Sequence, residues 1–351
     1  MFDKKAILKT TTGAALTAMM ALPHTAMAAS HEMPGEGTTI DMARASWDTG
    51  WWQAEVYSQM LQELGYEVSR ITTLDNPPFY QTVAQSGDVD LWVNGWFPLH
   101  NSYEDAFSGG AEKVGYVAKG GALQGYLIDK KTAEEHDITY VSDLTKDEVQ
   151  QLFDANGDGK ADLVACPPGW GCEKVISHHF EAYDWDDDFN AIKAGYSASM
   201  ADALGRYQND QPIFFYTWTP NWTVGELTPG KDVVWLQMKE TKLPESQANL
   251  ADETTVAKLE GCRGEAPCDL GWPANDIRPV ANSEFLDNNP AAETLLKEAR
   301  IPIEDIFEQN AKMNKGADSP EDLEQQASAW IEENRDKVDG WLKAARQAAQ
   351  M

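Results

Sequence analysis

Positive charge is scarce in this chain. Its 351 residues carry 28 Lys and Arg against 57 Asp and Glu, a formal net charge of −29. Nucleic acids and anionic lipid surfaces are bound through clusters of Lys and Arg, so the balance argues against partners of both kinds. Cysteine is also sparse. Four residues form two close pairs, Cys166 with Cys172 and Cys262 with Cys268, each pair enclosing five residues. Neither pair has the two-residue spacing of a redox dithiol, and no histidines stand at zinc-site distances from them. No metal or cofactor is expected. No Ser or Cys nucleophile motif occurs, and no apolar run reaches the roughly 20 residues that a membrane-spanning helix needs.

One apolar stretch has a different reading. Lys4, Lys5 and Lys9 precede an apolar run over residues 13–22, and Ala26-Met27-Ala28 follows as a small-x-small signal. This is the three-part layout of a secretory signal peptide. It assigns residues 1–28 to a cleaved leader and the mature start to Ala29. The leader holds three Lys and one Asp, so the mature chain bears about −31. Export makes disulfides the default fate of cysteine. Four cysteines permit three connectivities, and the two local pairings are expected. A charge of this size also suits solubility in a salty exterior, where it is screened.

The length suggests two domains. Residues 39–45 read as a strand. Trp52, Val56, Met60, Leu61 and Leu64 recur on one helical face that ends at Gly65. Residues 66–71, 89–93, 122–128 and 213–217 read as further strands, and 142–152 contains a helix. Near the end, Ser319 is placed as an N-cap with Pro320 at the first helical position. The alternation predicts an α/β architecture with mostly parallel sheets.

An internal echo bears on function. Residues 83–98 run helix, Gly-Asp turn, strand, then Trp96-Phe97-Pro98; residues 200–220 run helix, Asn-Asp turn, strand, then Trp218-Thr219-Pro220. With 13 Trp and 17 Pro, two Trp-x-Pro triplets could coincide by chance; their shared context favours a cleft. Ligands of open α/β sheets bind beyond the carboxyl ends of the strands, so Trp96 and Trp218 are expected to face one cleft. Between them, Cys166-Pro167-Pro168-Gly169-Trp170-Gly171-Cys172 precedes a helical pattern. A stapled loop of this kind can be purely structural. With Trp170 flanked by glycines, it also offers the N–H groups of Gly171 and Cys172 at a helix start, a ready anion site. Residues 154–162 begin like a calcium loop, but Ala165 stands at position twelve, and an Asx/Gly-rich turn is the other reading.

Five segments together resemble the ProX family of periplasmic glycine betaine/proline betaine-binding proteins. They are Asn94-Gly95-Trp96-Phe97-Pro98-Leu99-His100, the Gln124 to Lys131 stretch, the Phe153 to Asp162 stretch, Pro168-Gly169-Trp170-Gly171-Cys172-Glu173, and Tyr216-Thr217-Trp218-Thr219-Pro220. The resemblance runs in order through nearly all of the mature chain. It implies a two-lobed type II periplasmic-binding-protein fold, with the chain crossing a hinge twice, near Gln124 and near residues 235–238. Residues 29–124 and 238–351 then form one lobe and 125–237 the other. It also implies that Trp96, Trp170 and Trp218 box a trimethylammonium group. His100 and the N–H groups of Gly171 and Cys172 would hold the carboxylate. An isolated histidine is more commonly structural, but His100 lies four residues beyond Trp96 at a strand end. The implied partners are a small zwitterionic osmolyte and an inner-membrane ABC permease, and the implied compartment is the periplasm; a monomer is expected.

Two features depart from that pattern. Cys262–Cys268 looks like an added stapled loop away from the ligand. Trp47, Asp48, Trp51 and Trp52 enrich the start of the first helix in aromatics, either bordering the cleft or packing the helix onto its sheet. Two other readings compete, a choline- or other small-solute-binding protein and a secreted carbohydrate-active protein. A glycosidase needs two carboxyl groups flanking the bond, which cannot be picked from 57 acidic residues. Sugar sites also need several polar side chains.

Overall fold

The computed structural model describes residues 33–85 and 87–351; the leader assigned to 1–28 lies outside them. The run Leu-Trp-Val-Asn-Gly-Trp-Phe forms the strand Leu91–Phe97, buried along its whole length. A strand covered on both faces requires such a near-continuous apolar run. It pairs in parallel with Met42–Ala45, which pairs in parallel with Thr72–Leu74. On its other side it pairs antiparallel with Asn275–Asn282, and that strand also takes Ala111–Lys113 and Ala118–Ala122.

The second sheet is built around Phe214–Trp218, also wholly buried. It runs antiparallel to Gln124–Asp129, beyond which Val233–Trp235 forms the edge. On its other side lie Ala161–Val164 and then Phe189–Ile192, both parallel. Both sheets are therefore mixed, where alternation alone suggested mostly parallel ones. The strands that break the pattern are those next to the crossings between the sheets. Ala118–Ala122 belongs to the first sheet and Gln124–Asp129 to the second, so the chain crosses at Leu123.

The return crossing comes later than residues 235–238. Arg263 donates from Nε to the Ile138 carbonyl, Gln237 Nε2 donates to the Arg263 carbonyl, and the Met238 N–H to the Asp269 carbonyl. Trp272 still packs on Tyr126 and Tyr216 of the second sheet, with ring centroids 5.9 and 5.3 Å away. Only at Asn275, opposite Ala122, does the chain rejoin the first sheet. Residues 236–238 and 262–272 thus stay with the second sheet, including the Cys262–Cys268 disulfide, while Glu245–Glu253 between them packs on Leu99–Tyr103 beside the first.

Local expectations fare unevenly. The helix Trp51–Glu63 buries Trp52, Val56, Met60 and Leu61 as its periodicity requires. Residues 39–45 split at Asp41 into Thr39–Ile40 and Met42–Ala45, and Thr39–Ile40 pairs with Glu67–Val68 in a separate small sheet. Residues 142–152 hold only a 3-10 turn, Val141–Thr145, and one α turn, Asp147–Gln150. In the 154–162 loop the Asp154 carboxylate accepts from the N–H groups of Gly157, Asp158 and Gly159. Its oxygens face the loop's own backbone, the geometry of an Asx/Gly-rich turn.

Ser319 caps the helix Pro320–Glu333: its Oγ accepts from the Asp322 N–H at 3.1 Å, and the Asp322 carboxylate accepts from the Ser319 N–H at 3.3 Å. Losing such a cap lowers stability by about 1 kcal/mol. Ser319→Ala should therefore lower the melting temperature by roughly 2–4 °C. An unchanged midpoint in differential scanning calorimetry would show that packing of Trp330 on Trp52 alone places this helix.

Candidate functional site

Five strand ends converge between the two sheets. Ser46 and Trp47 follow Met42–Ala45, Asp75 follows Thr72–Leu74, and Trp96 to His100 lie at the end of Leu91–Phe97. From the second sheet, Trp170 to Cys172 follow Ala161–Val164, and Trp218 ends its own strand. These are all carboxyl ends, where α/β sheets place their ligands. Four of them, all but the end at Asp75, line a small cavity of about 30 Å³. Each residue singled out in the sequence lines it: Trp96, His100, Trp170, Gly171, Cys172 and Trp218.

The walls are mainly indoles. Trp170 stands edge-on to Trp218 with centroids 5.7 Å apart and edge-on to Trp47 at 5.5 Å. All of these rings are nearly buried, so their N–H groups need acceptors within the protein. Asn94, at the centre of its strand, meets two of them. Its Oδ1 accepts from Trp47 Nε1 at 2.7 Å and from Trp96 Nε1 at 3.0 Å, while its amide donates to Gln53 Oε1 at 2.9 Å. Two rings on different segments are thereby fixed by one side chain.

The helix Gly171–Ala182 also begins at the cavity, with no side chain capping it. The N–H groups of its first turn and the positive end of its dipole face the space beside His100. Gly171 is required here. A Cβ at this position would lie 2.9 Å from His100 Cδ2 and 3.1 Å from Leu99 Cγ. The disulfide Cys166–Cys172 ties this first turn to the end of the preceding strand.

His100 is fully buried, and burial, with a smaller contribution from the Lys174 charge, pushes its pKa down to about 3. The ring is neutral. Its Nδ1 accepts from the Trp96 backbone N–H at 3.1 Å and from the Tyr80 hydroxyl at 2.7 Å, so the single proton sits on Nε2. Nε2 lies 2.7 Å from the Asn76 side-chain amide. Only the amide oxygen can accept that proton, and turning it inward also gives the Asn76 oxygen a partner it otherwise lacks. His100 is thus a neutral, pre-oriented donor and not an imidazolium.

The aromatic cluster at 47–52 divides. Trp47 lines the cavity; Asp48 and Trp51 line the open groove outside it. Trp52 is core, packed edge-on against Trp330 at 5.7 Å. Sequence reasoning placed Gln124 only at the crossing and gave Tyr216 no role, yet both line the cavity, and the Tyr216 hydroxyl donates to Gln124 Oε1 at 2.5 Å. The Cys262–Cys268 loop lines no part of it.

A model of the substrate-binding domain of ABC-type glycine betaine transport systems matches residues 38–333. The chain belongs to that family. It is 38% identical to the glycine betaine-binding periplasmic protein OusX of Dickeya dadantii, over 95% of this chain and 98% of that one. It is 39% identical to the glycine betaine/proline betaine-binding periplasmic protein of Escherichia coli K12, over 90% and 93%. In fold it is similar to lactococcal OpuAC in its closed-liganded conformation with glycine betaine, with a TM-score of 0.64 and 19% identity over 87% of this chain and 99% of that one. An ABC-transporter choline-binding protein in complex with choline matches with a TM-score of 0.64 and 16% identity, over 89% and 96%. The fold is that of the type II periplasmic binding proteins.

Burial raises the Asp48 carboxyl to about 6, and the Asp318 charge adds to the effect. A carboxyl with a raised folded pKa keeps its proton while the unfolded chain releases one at about pH 4. Stability is therefore lost as pH rises from about 4 to about 6 and stays reduced above that. Asp48 is mostly buried but keeps some exposure, so we set the penalty at about 1–2 kcal/mol, below the full shift. Asp48→Asn should raise the melting temperature at pH 7.5 and have no effect near pH 4. An equal gain at both pH values would show that charge burial is not the cause.

Proposed function

We propose that this chain is the periplasmic receptor of an ABC importer and that it captures glycine betaine or proline betaine in the indole-lined cavity. One observation carries the reading. Among the described residues, the cavity has four indole walls, an uncapped helix start, and no charged side chain lining it. A quaternary ammonium has no N–H to donate, so ion-pair geometry gives it little, and π-faces are its natural host. Its carboxylate suits the N–H groups of Gly171 and Cys172, beside His100, whose Nε2 proton it would share with the Asn76 oxygen. Trp96, Trp170 and Trp218 form the box, with Trp47 as a fourth wall. Family membership and the periplasmic relatives support the same reading.

In this reading each sheet anchors one lobe, and neither lobe can enclose the solute alone. The first contributes Trp47, Trp96 and His100; the second contributes Trp170, Gly171, Cys172 and Trp218. Solute is bound by closure about the crossings at Leu123 and residues 273–275, and the closed form is what the permease meets. The solute is handed on unchanged.

Two outcomes test this. Each of Trp96→Leu, Trp170→Leu and Trp218→Leu should weaken glycine betaine by about 1–2 kcal/mol, roughly five- to thirtyfold, in calorimetric titration. Phe at the same positions should retain more affinity, and Trp330→Leu, outside the cavity, should leave it unchanged. Parent-like binding by a correctly folded Trp218→Leu would place the site elsewhere. Choline keeps the cation but lacks the carboxylate. Losing a charge-assisted hydrogen bond costs about 1.5–3 kcal/mol, so choline should bind roughly ten- to a hundredfold more weakly. Equal affinities would remove the anion subsite.

A further inference from the structure

Two cavity indoles on the second lobe donate across the cleft to hydroxyls of the first. Trp170 Nε1 donates to Ser46 Oγ at 2.9 Å, and Trp218 Nε1 donates to Thr49 Oγ1 at 3.3 Å. Ser46 is itself committed, because its hydroxyl donates to the Asp75 carboxylate. Asp75 also packs against the loop that carries Trp170. Gly169 there has a φ of +96°, and a Cβ on it would lie 3.3 Å from the Asp75 carboxyl carbon. Neither Ser46 nor Asp75 lines the cavity. Whatever they contribute to a solute passes through the Trp170 ring.

We propose that Asp75 and Ser46 are positioning residues, a relay that holds the Trp170 indole across the closed cleft and so makes lobe closure part of solute affinity. The proposal rests on the reading of the cavity as a quaternary-ammonium site. A serine hydroxyl has one proton. With that proton given to a carboxylate, the oxygen presents only lone pairs to the indole, and the charged acceptor polarises the hydroxyl into a better acceptor. Without Ser46 the indole N–H loses its fixed acceptor, and it regains a partner only if the ring turns, the lobes part or water enters from the groove that both residues line. Turning has a direct electrostatic consequence. The ring face is negative and its edge positive, so a rotated Trp170 offers a cation less attraction. It also gives up the edge contacts with Trp47 and Trp218.

A double-mutant cycle tests this with glycine betaine as titrant, using the full chain. Ser46→Ala should weaken binding about tenfold, the value of one buried hydrogen bond. Asp75→Asn should weaken it several-fold, and Ser46→Thr, which keeps the hydroxyl, should bind like the parent. Trp170→Phe removes the N–H but keeps an aromatic face, so adding Ser46→Ala to it should change affinity by less than about twofold. A merely structural role for Ser46 would weaken both backgrounds alike, and that result overturns the relay. So does parent-like binding by Ser46→Ala. A parent protein that gives no heat with glycine betaine would overturn the functional reading first, and the relay as a determinant of that affinity with it.

Discussion

A buried indole N–H left unpaired costs about 1–3 kcal/mol, and four nearly buried ones meet at this cavity. Each has an acceptor: Asn94 for Trp47 and Trp96, Ser46 for Trp170, Thr49 for Trp218. The contrast within the same molecule is informative. Trp52, Trp92 and Trp272 are equally buried, and their N–H groups lack partners. Those rings fill volume, where orientation within the packing matters less. Around the cavity every ring is held by a bond that sets which face it shows. The acceptors come from strand ends and from one strand centre, so the positions of the walls follow from the pairing of the sheets.

The electrostatics of the cavity follow from the same burial. A charged side chain there would need a partner of its own, and among the described residues none lines it; in the proposed reading the anion is met by a helix terminus beside a histidine that burial keeps neutral. A neutral host matches a neutral zwitterion, since no net charge is transferred into the closed cleft. Carboxylates appear only outside, where Asp48, Asp75 and Asp318 line the groove leading in. Even there, Asp48 resists ionisation because burial disfavours its charged form. The formal charge of −29 therefore describes the exterior and says little about the site.

The parts that were legible in the sequence are those governed by local rules. Period-3.6 burial located Trp51–Glu63, and Ser319 followed by Pro320 marked its helix start. Trp-x-Pro at two strand ends located two walls. Trp47 obeys the same strand-end rule, but it also lies one helical turn before Trp51, so burial in the core competed equally. Only the Asn94 bond across 47 residues decides between the two. Segment 236–272 was unreadable for a different reason. It has little regular structure, and single hydrogen bonds from Arg263 and Gln237 hold its two ends on the second sheet while its middle touches the first lobe. Such bonds have no periodicity to detect. Gln124 and Tyr216 illustrate the remaining gap, since strand alternation cannot say which buried polar side chain borders a void.

Closure and cage geometry are consequently one problem. In an open form the first lobe would keep Trp47 and Trp96 in place through Asn94, which lies within that lobe. Trp170 and Trp218 depend on Ser46 and Thr49 across the cleft, and both would lose their acceptors on opening. The two halves of the cage are thus unequal: one is preorganised, the other becomes organised by closing. Preorganisation in one half limits the ordering that binding must impose, while the other half makes affinity conditional on the closed state. A receptor that must also release its solute benefits from that asymmetry. Separating the lobes by the reach of a single hydrogen bond unpairs both second-lobe indoles together and loosens half of the cage, without any group having to displace the solute directly.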